Sequence, residues 1–207
     1  MRVKIDCREK DLNPICKNIN EEFNYNISIE TKSLLLGDII IEDDNGNEII
    51  MIERKTWKDL AASIRDGRYA EQSFRLNNCE LHNHNIIYLI EGDLKYYNDK
   101  FTRIGKKALI SAITSIHFTK GFSLYKTNNL TESAEWILQM VTKIQKDKAK
   151  SFYIDTGENK VVENYSSVCK RAKKSNISKD NIGEIMLAQI PGISNTVAVL
   201  ILSLIHI

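Results

Sequence analysis

Apolar residues recur along this chain in two rhythms. Val3-Lys4-Ile5 and Ile27-Ser28-Ile29 alternate at period 2, as half-buried strands do, and a helix-like stretch from about Asp11 to Glu22 separates them. Leu34 to Ile41 and Ile49 to Ile52 are apolar and β-branched, predicting two strands joined across Asp43-Asp44-Asn45-Gly46-Asn47. From Trp57 the period becomes helical: Trp57, Leu60, Ala61 and Ile64 share a face, Asp66-Gly67 interrupts, and Arg68 to Leu81 predicts a second helix. A strand (Ile86 to Ile90), a helix (Ile104 to Phe118), a strand (Phe122 to Tyr125) and a long helix (Thr131 to Lys146) follow. Strands that first cluster in hairpins and then alternate with helices predict an α/β fold, a mixed central sheet flanked by helices. Beyond it the pattern changes twice. Residues 147–180 are polar and read as a linker, whereas 181–207 are apolar and helical around the break Pro191-Gly192.

The predicted hairpin carries chemistry. Asn-Gly between two apolar runs is the strongest short-range hairpin signal, and a type I′ turn at Asn45-Gly46 sets Asp44 opposite Asn47. Carried down the ladder, that register sets Asp38 opposite Glu53, with Cβ atoms about 4.5–5.5 Å apart. Alternation then places Lys55 on the same face as Glu53, and Arg54 on the other. Two carboxylates placed opposite each other destabilise a sheet unless something neutralises them, and a hard divalent cation such as Mg²⁺ does so. Such an ion polarises a phosphoryl oxygen and acidifies water, and Lys55 can orient the water or stabilise the pentavalent transition state. The simpler account is a Gly-Asp that ends a loop and a Glu-Arg-Lys that decorates a solvent-facing strand; a bulge beside the turn would shift the pairing by one. Thr56 followed by Asp59 is also a capping-box pattern at a helix start.

Composition narrows the setting. The 207 residues are 43% hydrophobic and 27% charged, ordinary for a globular domain with a small appendage. No apolar run approaches the ~20 residues that span a bilayer and no secretory signal precedes Val3, so an intracellular protein is expected. The cysteines (Cys7, Cys16, Cys79, Cys169) show no zinc spacing and read as reduced thiols. Net charge is +2, yet Lys146 to Asp180 holds nine Lys/Arg against five Asp/Glu, including the knot Lys170-Arg171-Ala172-Lys173-Lys174, so the linker is the electropositive part.

Gly37-Asp38, Glu53-Arg54-Lys55 and Asp59 resemble the G-D-x(n)-E-R-K-x(3)-D signature of the XPF-type structure-specific endonucleases. Ser63 to Gln72 (Ser-Ile-Arg-Asp-Gly-Arg-Tyr-Ala-Glu-Gln), with Arg75-Leu76, is similar to that family's follow-on, and Asp6-Cys7-Arg8-Glu9 to its opening D-x-R-E. The resemblance implies a restriction-endonuclease-like core, Mg²⁺ or Mn²⁺ with no small-molecule cofactor, and incision of branched DNA near duplex/single-strand junctions in repair or recombination. It implies a homo- or heterodimer; the short apolar runs argue against a membrane role, and Lys170 to Lys174 reads as a weak nuclear signal if the source is eukaryotic. The resemblance makes Asp38 and Glu53 metal ligands, Lys55 a catalytic base or electrophile, and Asp59 the completion of the acidic cluster. Arg54 belongs to the same catalytic motif, its side chain expected to buttress the fold or an adjacent acid. Asp6 and Glu9 rank second as acids near the metal, and Arg68 and Gln72, one helical turn apart, are expected to meet the DNA backbone. The family also includes noncatalytic DNA-binding or scaffold subunits; a degenerate subunit would have lost one of Asp38, Glu53 and Lys55, and all are present.

Ile190-Pro191-Gly192-Ile193-Ser194 resembles one helix-hairpin-helix motif, in which the turn at Gly192 and the helix start after Ser194 offer backbone N–H groups to a phosphate. Family members carry two such motifs as a unit that also dimerises. This chain departs from that pattern soon after the first, and its ending Leu202 to Ile207 resembles translated adapter sequence.

Overall fold

The computed structural model describes residues 1–147, 178–179 and 181–205. The chain divides into two compact units, Met1–Asp155 and Thr156–Ile207. Apart from Asp147, Ser178 and Lys179, the linker expected at 147–180 and its basic knot lie outside the described residues.

The first unit is built on a six-stranded mixed sheet of order β2-β1-β3-β4-β5-β6. Its strands are β1 (Arg2–Asp6), β2 (Ser28–Lys32), β3 (Ile39–Glu42), β4 (Glu48–Thr56), β5 (Ile86–Glu91) and β6 (Ser123–Thr127). β3 runs antiparallel to both β1 and β4, while β1 with β2, and β4 with β5 and β6, run parallel. The expected α/β architecture is therefore present.

Helices cover both faces, and period-2 alternation sorts the side chains between them. Val3, Ile5, Ile39, Ile41, Ile52 and Leu89 pack with Leu12, Cys16 and Ile19 of α1 (Leu12–Glu22) and with Ile137, Leu138 and Val141 of α5 (Leu130–Lys146). Ile40, Met51, Tyr88 and Ile90 pack with Leu60 of α2 (Trp57–Arg65), Leu76 of α3 (Arg68–Asn77) and Leu109 of α4 (Lys106–Thr114). β5 is buried on both faces, which explains its uninterrupted apolar run.

The register between β3 and β4 is the one the site needs, but it is reached by another route. Asn45 does not have the positive φ that a type I′ turn demands, whereas Gly46 does, at +88°. The Asp43 carboxylate accepts from the backbone N–H groups of Asn45 and Asn47, both at 2.8 Å, and Asp43 N–H bonds the Asn47 carbonyl. The loop is thus three residues long with Gly46 left-handed, and Glu42 pairs with Glu48, one step off the expected register. Ile49 is then the extra residue of a bulge, after which Ile41 pairs with Ile50 and Ile39 with Ile52. The two one-residue shifts cancel.

Three other boundaries differ. The strand predicted for Leu34–Ile41 begins only at Ile39 and runs one residue further, to Glu42. Gly37 bends the chain before it, at φ +71°, with room for no side chain because a Cβ would lie 2.6 Å from Met51 Cγ. The helix predicted for Ile104–Phe118 runs as α4 to Thr114 and then widens to a π-turn at Ser115–Thr119. α3 stops at Asn77, short of Leu81.

The second unit pairs α6 (Ile182–Leu187) with α7 (Asn195–Ile205) around a turn in which Gly192 has φ +91°. The Ser194 hydroxyl accepts from Val197 N–H at 3.3 Å, capping the start of α7.

Candidate active site

Glu53 and Lys55 lie on β4, on the face of Met51 toward α2–α4, while Arg54 shares the opposite face with Ile52. Asp38 sits one residue before β3. Its N–H bonds the Ile52 carbonyl at 2.9 Å, and its carboxylate accepts from Arg54 N–H at 2.9 Å, so its contacts bracket Glu53 along β4. The end of β1 joins the same corner through Asp6 N–H, which bonds the Asp38 carbonyl at 2.8 Å.

The site is buried and charged. Glu53 is 2% exposed and Lys55 8%. Lys55 Nζ donates to Glu53 Oε1 at 2.8 Å, and Glu53 Oε2 is buried without a hydrogen-bond partner. A buried carboxylate oxygen left without a donor is costly, which is why such atoms are rare outside functional sites. Burial, then the neighbouring Glu53 charge, pushes the Asp38 carboxyl up to about 7. The two acids thus press on each other as sites for a shared cation do.

A divalent ion fits this donor set. Mg²⁺ is ordinarily held by one or two carboxylates with several waters, and Asp38 with the unpartnered Glu53 Oε2 supply that much. Among the described residues no group of three or more His, Cys, Asp or Glu side chains gathers around one point, so Asp59 and Asp6 do not complete a protein cage.

The other expected residues fall in different places. Asp59 is exposed, its carboxylate accepting from the Thr56 hydroxyl at 2.6 Å while Thr56 Oγ1 accepts from Asp59 N–H at 3.1 Å. Thr56 is the N-cap of α2 and Asp59 braces it, so Asp59 takes part in the helix-start pattern that was the simpler of its two predicted roles. Thr56→Ala is expected to lower stability by about 1 kcal/mol, read from denaturant unfolding. Asp6 is 1% exposed, but its carboxylate is occupied by Arg8 Nε at 2.7 Å and by Arg8 and Leu34 N–H groups. The Arg8 hydrogen bond holds its pKa at about 2. Glu9 bonds Arg54 Nη1 at 2.9 Å, and burial raises its pKa. Arg68 is exposed beside Asp66, with Gln72 half-buried one turn along α3.

Arg54 is clamped. Its Nε and Nη2 reach the two oxygens of Glu91 at 3.0 Å each, Nη1 reaches Glu9, and Ser133 Oγ donates to Glu91 at 2.9 Å. This ties β4 to the turn before α1, the end of β5 and α5, behind the face that bears Asp38 and Glu53. Two members of the corner were not singled out from sequence. Arg8 feels the charges of Asp38 and Glu53, and its Asp-x-Arg spacing was the available signal. Glu91, a lone acid ending an apolar strand, gave none.

Known proteins share this frame. A model of the ERCC4 domain matches residues 5–140. The chain is 33% identical over 153 residues to "Probable crossover junction endonuclease mus81" of Dictyostelium discoideum, covering 65% of this chain and 16% of that protein. It is 28% identical over 146 residues to "ERCC4 domain-containing protein EP364R" of an African swine fever virus isolate, covering 70% of this chain and 38% of that protein. The chain therefore spans well under half the length of these curated relatives. Among solved structures, XPF from Aeropyrum pernix, determined alone and in complex with DNA, superposes with a TM-score of 0.53 at 22% identity, over 98% of this chain and 80% of that one. At that identity the likeness is one of fold.

Proposed function

This chain belongs to the ERCC4 domain family, and from that premise we propose that it is a metal-dependent, structure-specific DNA endonuclease hydrolysing phosphodiester bonds near duplex/single-strand junctions. The observation that carries the reading is the buried, unpartnered Glu53 Oε2 beside Lys55 and an Asp38 whose carboxyl is pushed up by burial and then by the Glu53 charge. Asp38 and Glu53 would hold Mg²⁺ or Mn²⁺, which when bound supplies the Lewis acidity for attack of water on phosphorus. Lys55, fixed by Glu53, directs its remaining N–H donors at a non-bridging phosphate oxygen and stabilises the charge that grows there. The clamp on Arg54 keeps its N–H, and so the Asp38 carboxylate, in place. The α6–α7 hairpin is read as a helix-hairpin-helix, its turn at Gly192 and Ser194 meeting a DNA phosphate without regard to sequence. Pairing with a second subunit belongs to the same proposal. The Phe118 side chain, 84% exposed after α4, is apolar surface suited to it. A nuclear location is part of the reading if the source is eukaryotic; among the described residues no helix is long and apolar enough to cross a membrane.

The test is cleavage of flapped, forked and plain duplex DNA of one sequence with Mg²⁺. Preferential cutting near the junctions is expected, and equal cutting of all three would remove structure specificity from the account.

The raised Asp38 pKa gives this reading a pH signature. In the metal-free chain the folded Asp38 takes up a proton below about 7, the unfolded one only near 3.8, so between these values the folded state binds more protons. Stability is therefore lost as pH rises through that window, and a divalent ion restores it by replacing the proton. Cation affinity falls by about tenfold per pH unit below about 7, because ligand and proton compete for one carboxylate. Calorimetric Mn²⁺ titrations at pH 6 and pH 8 check this; equal affinities would contradict it.

A further inference from the structure

Where β4, β5 and β6 end, a cleft of about 470 Å³ opens between Thr56-Trp57, Glu91-Gly92 and the loop that follows β5. That loop is pinned. Tyr97 OH lies 2.5 Å from Thr102 Oγ1 and donates to the Ile104 carbonyl at 2.8 Å, Trp57 Nε1 donates to the Gly92 carbonyl at 2.9 Å, and Arg65 reaches the Phe101 carbonyl at 3.2 Å. Yet this fixed loop holds two large rings in solvent, Tyr96 and Phe101, each 79% exposed. Its charge is one-sided. Leu94 to Gly105 contains Lys95, Lys100 and Arg103 against Asp99 alone, and α4 opens on Lys106, whose Nζ bonds the Lys95 carbonyl at 2.9 Å, and Lys107. Lys95 Nζ stands 5.7 Å from the centre of the Tyr96 ring. The acids of the cleft wall are already committed, Glu91 to Arg54 and Asp93 to Lys95 N–H at 2.8 Å.

We propose that this cleft seats an unpaired DNA strand, its bases stacked on Tyr96 and Phe101 and its phosphates held by the basic side chains of the same loop. Exposed rings interleaved with lysine and arginine on a rigid support are the components of single-strand platforms, because every base offers a π-face once it is unstacked. A duplex hides those faces and meets only the charges, and a neutral or basic peptide gains nothing from the lysines. Thr56 follows Lys55 directly, so a strand in the cleft runs beside the cutting site. The choice of DNA rests on the nuclease reading; the stacking does not depend on catalysis.

Binding to the full chain, followed by anisotropy of labelled oligo(dT) of about 12 nucleotides and of a hairpin duplex of similar size in metal-free buffer, tests this. Tyr96→Ala and Phe101→Ala are each expected to weaken oligo(dT) binding on the order of tenfold, with duplex binding changed less than about twofold. Tyr96→Phe and Phe101→Tyr retain wild-type affinity. Because both rings are exposed, melting temperatures stay at the wild-type value, which separates lost stacking from misfolding. Failure of wild type to bind oligo(dT), indifference of that binding to both truncations, or equal loss on duplex would each overturn the proposal. A chain that cuts nothing yet loses oligo(dT) with its rings would remove the nuclease reading and keep the cleft; normal cutting with ring-independent binding would do the reverse.

Discussion

Replacing Asp38 with asparagine is expected to lower Mg²⁺-dependent cutting by about 10³-fold or more while raising the melting temperature of the metal-free chain at pH 7.5. The loss follows from removing one of two carboxylates that hold the ion; about 4 kcal/mol of lost transition-state stabilisation is a factor of this size. The gain follows from the same placement. Asp38 is buried and then held against the Glu53 charge, which is why its carboxyl resists ionisation. Asparagine keeps the oxygen that accepts from Arg54 N–H and drops the repulsion. Glu53→Gln is a poorer probe, because it strips Lys55 of its buried partner and so destabilises as well. Thermal melts and single-turnover cleavage on one preparation read both effects. Wild-type cutting by Asp38→Asn, or a lowered melting temperature, would contradict the placement.

Arg54→Ala is expected to act in the opposite sense, mainly on stability. Its guanidinium neutralises Glu9 and Glu91, both largely buried, and truncation leaves two carboxylates facing each other. Removing one partner of such a network costs roughly 3–5 kcal/mol. For a chain of this size that lowers the melting temperature on the order of 6–20 °C. Burial already raises the Glu9 pKa, so protonation of that acid shrinks the deficit as pH falls. Arg54→Lys restores the charge without the fork to Glu91 and falls between. Assayed well below its melting point, Arg54→Ala should cut far faster than Asp38→Asn, since its hydrogen bond to Asp38 comes from the backbone N–H, which alanine keeps. An unchanged melting temperature with cutting abolished would instead make Arg54 part of the chemistry.

Residues whose role is set by local pattern were legible in the sequence. Alternation alone put Lys55 on the face of Glu53 and Arg54 on the other, and the Thr56–Asp59 spacing announced the cap that is found. The β3–β4 alignment was legible only in outcome. Gly46 is left-handed as a turn glycine should be, but the Asp43 carboxylate organises a longer loop, and the bulge at Ile49 returns the strands to register. Neither is announced by Asn-Gly, since a loop of three with a bulge and a loop of two without one bury the same apolar residues. The late start of the strand predicted from Leu34 goes with the bend at Gly37, left-handed at φ +71° and packed against Met51, which the apolar run does not announce. The clamp on Arg54 was half visible. An adjacent acid was expected, but Glu91 and Ser133 come from segments far along the chain, and only the parallel pairing of β4 with β5 brings Glu91 near.

The shared cation is tested most directly by diffraction from crystals of the full chain grown with Mn²⁺. The account predicts an anomalous peak at roughly 2.1 Å from an Asp38 oxygen and from Glu53 Oε2, with water completing the shell. A peak elsewhere, or saturating Mn²⁺ with none between these two side chains, would contradict it.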